Sequence, residues 1–68
     1  MENKEEIVQA LFKTLSLTRE YSDLSSLSYV KEKGGEYVIA KWEDGYNKKI
    51  CVTCDSGIAI IKDVIKSI

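Results

Sequence analysis

Apolar residues recur along the chain in rhythms that change from one segment to the next. Near the start, Ile7, Val8, Leu11, Phe12 and Leu15 fall at i, i+1, i+4, i+5 and i+8, a single stripe at helical period. Asn3 precedes the stripe as a natural N-cap, and Glu6 follows three residues later at capping-box spacing. The spacing predicts a helix over about residues 4–16. Residues 17–26 are rich in Ser and Asp, which compete with helix by bonding their own backbone. They are expected to form a loop, or one loose turn pinned by Tyr21 and Leu24.

From Leu27 onward the pattern suits strands. Segments 27–33 and 36–42 flank Gly34-Gly35, a two-residue signal for a primed turn. A third strand is expected over 47–54, reached through Glu43-Asp44-Gly45-Tyr46. The last segment, 58–68, carries Ile61, Val64, Ile65 and Ile68 at helical spacing, with Lys62, Asp63, Lys66 and Ser67 turned away. Asp55 or Ser56 would cap it. The reading is an α+β fold over residues 1–68 as a single small domain. It is a three-stranded antiparallel meander with N-terminal and C-terminal helices, in the order α-β-β-β-α.

Pairing across Gly34-Gly35 sets Val30 opposite Ile39 and Tyr29 opposite Ala40. One sheet face then carries Val30, Tyr37 and Ile39; the other carries Leu27, Tyr29, Val38, Ala40 and Trp42. Ile50 and Val52 join the Trp42 face if the second turn has three residues, and the Ile39 face if it has two or four. Two helices on one face would leave the other apolar set in water, whereas one helix on each face would cover both. A contiguous apolar patch on a monomer marks an interaction site. The expected surface includes Tyr29 and Trp42, or else Tyr37, with Lys41, Lys48 and Lys49 nearby.

Composition narrows the chemistry. The chain has 68 residues, 44% hydrophobic and 31% charged, with no proline and no histidine. Its formal charge of −1 excludes the strongly cationic balance of an electrostatically driven nucleic-acid or membrane binder. Without histidine the most versatile acid/base group is missing, so no enzyme is expected. Cys51-Val52-Thr53-Cys54 is one C-x-x-C pair, which supplies two of a zinc site's four ligands. Its β-branched interior suits a strand, where i and i+3 point to opposite faces. Ordinary semi-buried thiols are expected, with no metal and no cofactor. The polar N-terminal residues lack the apolar core of a signal peptide, and no apolar run could cross a bilayer. A cytoplasmic location with no membrane association is the expectation.

Lys31, Lys33, Lys41, Lys48 and Lys49 lie in the hairpins, interleaved with Glu32, Glu36, Glu43 and Asp44. Lysines on sheet margins guard against edge-to-edge pairing. The element order is similar to that of the double-stranded-RNA-binding domain, which grips RNA through its first helix, a Gly-Pro-x-His loop and a lysine cluster opening the last helix. The similarity is one of topology: the β1–β2 turn here is Gly34-Gly35, and the last helix opens with Ser56-Gly57-Ile58-Ala59. No contact residue carries over. The richness in Lys, Glu and Ile resembles that of chains from AT-rich bacterial or phage genomes. The expected function is a non-enzymatic module that binds a protein partner, or a second copy of itself, through an apolar sheet face. The alternative is RNA binding through the hairpin lysines and sheet aromatics.

Overall fold

The computed structural model describes residues 2–68. Its elements are α1 (Lys4–Ser16), β1 (Leu24–Glu32), β2 (Gly35–Trp42), β3 (Asn47–Cys51) and α2 (Gly57–Ser67), the expected α-β-β-β-α order. The strands form one antiparallel sheet in the order β1-β2-β3. Both caps form as side-chain chemistry dictates: Asn3 accepts from the Glu6 N–H at 3.0 Å, and Ser56 from the Ala59 N–H at 3.3 Å. Ser56, not Asp55, is therefore the α2 cap.

β1 starts at Leu24, within the segment read as loop. The register shifts between Leu24 and Ser26. The extra residue of a bulge lets Leu24 and Leu27, three apart, both point into the core. Before it, hydroxyls hold successive turns: Thr18 donates to the Leu15 carbonyl at 2.6 Å and Ser22 to that of Arg19 at 3.1 Å.

The first hairpin differs from expectation by two residues. Glu32 pairs with Gly35, so the turn is Lys33-Gly34, and Tyr29 faces Val38 while Val30 faces Tyr37. A slip of two preserves the faces. The turn is not of the primed type, since the positive φ falls on Gly35 (φ 157) instead of its central residues. Gly35 is needed inside the strand because a Cβ there would lie 2.5 Å from Thr53 Oγ1.

The second turn resolves the open choice. Trp42 N–H donates to the Tyr46 carbonyl at 2.8 Å, leaving Glu43-Asp44-Gly45 as a three-residue loop with Gly45 at φ 94. Ile50 therefore stands opposite Val38, on the Trp42 side. β3 ends at Cys51 rather than Cys54. Val52 still donates to the Glu36 carbonyl, but Thr53 then turns its hydroxyl back to accept from the Glu36 N–H, and Cys54 takes a left-handed conformation at φ 64.

Leu27, Val38, Ala40, Ile50 and Val52 share one buried cluster with Val8, Leu11 and Leu15 of α1 and Ile60 and Val64 of α2. Both helices thus cover the same side of the sheet. α2 is rotated from its expected orientation: Gly57, Ile60 and Val64 face inward, and Ile65 faces solvent. Gly57 permits this by its close approach to α1, where a Cβ would fall 2.7 Å from Ile7 Cδ1.

Candidate interaction surface

Alternation along the strands sends Val30, Tyr37 and Ile39 to the side opposite the helices. No described element lies over them, and they are half-buried by their neighbours on the sheet. Ser28 and Lys49 flank Ile39 on either side, and Cys51 stands opposite Tyr37.

A charged strap crosses this face. Lys49 of β3 places its ammonium 4.3 Å from the centre of the Tyr37 ring on β2 and 3.0 Å from the Glu32 carboxylate on β1. Cation–π attraction and the ion pair both favour that position. The hydrogen bond to Glu32 is the main reason the Lys49 ammonium is held above its ordinary range. Lys41 lies on the same face, opposite Asn47, and forms no ion pair among the described residues.

Of the two alternatives, the Tyr29–Trp42 face and the Tyr37 face, it is the Tyr37 face that stays open. Tyr37, Lys41 and Lys49 belong to the open face. Tyr29 and Trp42 pack against the core on the helix side, because the register gives them Val38 and Leu24 as partners. The Trp42 ring also meets Tyr46, centroids 5.2 Å apart at 50°. Lys48 reaches the helix side too, donating to the Ser67 carbonyl at 2.6 Å near the end of α2, where a cation suits the helix dipole.

Beside Tyr29 a polar network forms that the linear sequence concealed. Lys4 pairs with Glu36 at 2.8 Å, and the Tyr29 hydroxyl also acts on the same carboxylate. The Lys4 ammonium, followed by the Tyr29 hydroxyl, holds Glu36 below the usual carboxylate range. Burial is the main cause that raises Tyr29. These residues are 32 positions apart in the case of Lys4 and Glu36, so only tertiary structure joins them.

The two thiols are free and exposed, not semi-buried. Val52 takes the inward position at the strand end, which turns Cys51 outward, and the left-handed turn presents Cys54. The Thr53 hydroxyl, 3.4 Å from Cys51 Sγ, lowers that thiol from its ordinary value. Just before α2, the Asp63 carboxyl is the first cause that raises Asp55, whose Oδ2 is buried without a hydrogen-bond partner among the described residues. No group of three or more metal-ligating side chains occurs among the described residues, and none of their helices is long and apolar enough to cross a membrane. No protein-family model matches the chain, and no curated protein or solved structure matches it.

Proposed function

We propose that the chain is a non-enzymatic interaction module whose open sheet face receives a protein partner. One observation carries this reading: both helices pack on the same side, so Val30, Tyr37 and Ile39 lack a covering layer. Aromatic and branched side chains on a rigid sheet are effective anchors, since little conformational freedom is lost when they are covered. Lys41 at the margin suits a partner that presents a carboxylate beside an apolar patch.

RNA binding is supported less well. Lys48 is engaged with the end of α2, and Lys49 with Tyr37 and Glu32. That leaves Lys41 as the cation of the open face with no such engagement, whereas backbone-tracking binders present a continuous basic groove.

The test is capture from cell extract by the chain and by two variants that keep the fold. Ile39→Lys should lose the partner, and Ile65→Lys, on the helix side, should retain it. Equal capture by Ile39→Lys would contradict the proposal. Capture of RNA that falls steeply with added salt would favour the second reading.

A further inference from the structure

The most exposed large apolar residues lie in the helices and loops, not on the sheet: Leu17 is 86% exposed, Ile58 60%, Tyr46 57% and Ile65 49%. Three of them belong to a pattern. On α2 and its C-cap, Ile58, Ile61, Ile65 and Ile68 are spaced three, four and three residues apart, and Ile7, Ala10, Thr14 and Leu17 repeat that spacing along α1 and its C-cap. This is the spacing of a helix-packing seam. The two helices start side by side, since the Gly57 N–H donates to the Glu2 carboxylate at 2.9 Å. One turn on, Ile61 lines a groove with Ile7, Ala10, Leu11 and Thr14. The seams therefore run in the same direction, and they come together at this groove through Ile61 of α2 and Ile7, Ala10 and Thr14 of α1.

We infer that this groove is the seat of a second copy of the chain. A two-fold axis along the helix direction lays each α1 seam on the α2 seam of the other copy, making four helices between two outward-facing sheets. Size favours this pairing: the small Ala10 and Thr14 meet Ile61 and Ile65 of the partner subunit. Charge favours it as well. With Ile7 level with Ile58 of the partner subunit, Glu6 stands at the flanking position that faces Lys62 of the partner subunit, the geometry of interhelical ion pairs in parallel coiled coils. The symmetry repeats that pair. Helices of this length, about 20 Å and 16 Å at 1.5 Å per residue, form a contact layer smaller than the roughly 800 Å² per partner of a stable complex. The dimer is accordingly weak, with a dissociation constant on the order of micromolar or above. This surface is opposite the open sheet face and stands independently of the function proposed above.

Sedimentation equilibrium of the full chain, from about micromolar to millimolar concentration, tests the inference. A reversible monomer–dimer equilibrium is expected. Ile65→Lys should raise the dissociation constant by about a hundredfold with an unchanged circular-dichroism spectrum, and Ile39→Lys should leave it within about twofold. Glu6→Lys and Lys62→Glu should each weaken the dimer by about fivefold, and the double variant should restore it. A monomer at every concentration overturns the inference. So does a dimer that survives Ile65→Lys but is lost in Ile39→Lys. A monomer that binds an acidic amphipathic helical peptide in the groove overturns it in favour of a foreign helix. Partner capture through the sheet is read separately, so either idea can fail alone.

Discussion

Lys49 and Tyr37, on adjacent strands, meet on the side of the sheet that no helix covers, with the ammonium 4.3 Å from the ring centre. Val38, next to Tyr37 in sequence, is fully buried on the other side. The two sides should therefore respond differently to truncation. Leu27→Ala, in the core, should cost about 2–5 kcal/mol. Ile39→Ala, on the open side, should cost about 1 kcal/mol or less. Urea denaturation measures both, and similar costs would mean that Ile39 is packed under a covering layer.

Gly35 offers a test of the register. An added methyl group would meet Thr53 Oγ1 at 2.5 Å, where that oxygen accepts from the Glu36 N–H at 3.0 Å. Gly35→Ala should destabilise the fold by about 1–3 kcal/mol. Combined with Thr53→Ala the loss should be less than additive, because the clash has been removed. Strict additivity in a double-mutant cycle would separate the two residues.

Two carboxyl groups should bend the pH profile in opposite senses. Lys4 lowers Glu36 from its ordinary 4.5. Its contribution is present above that value and fades as pH falls through the folded-state pKa. Asp55 is raised from 3.8, first by Asp63. Its contribution is present below 3.8 and is lost as pH rises through the raised value. Glu36→Gln should lower stability at neutral pH and flatten the acid limb. Asp63→Asn should raise stability at neutral pH and leave the most acidic point unchanged. Denaturation curves from about pH 3 to 7 report both. An Asp63→Asn variant weaker at neutral pH would show that the two carboxyls support each other.

The fold was legible wherever one local rule acted alone. The capping pair Asn3–Glu6 and the stripe from Ile7 to Leu15 placed α1. Gly45 and the alternative of a three-residue turn contained the answer for Ile50. What stayed hidden depended on contacts distant in sequence. The pairing of Leu24 with Trp42 recruits Ser-rich residues into β1 against their local preference. Gly57 settles against Ile7 and rotates α2 so that Ile60, not Ile65, faces inward. The same distance effect decided which of the two alternative faces stays open. Tyr29 and Tyr37 look alike in a strand pattern, and only the placement of both helices on one side separates the covered tyrosine from the open one.

Cys51 gives a chemical handle on the open face. The Thr53 hydroxyl favours its thiolate, and the thiolate is the reactive form. In a Cys54→Ser background, alkylation of Cys51 at neutral pH should slow several-fold on Thr53→Val. An unchanged rate would remove Thr53 as the activating group.

A soluble paramagnetic probe added to the free protein examines the uncovered face without any partner. Methyl signals of Val30 and Ile39 should broaden strongly, while those of Val38 and Ala40, both fully buried, should stay sharp. Protection of Val30 and Ile39 equal to that of Val38 and Ala40 would contradict the account, since it would require a layer over the side from which both helices are absent.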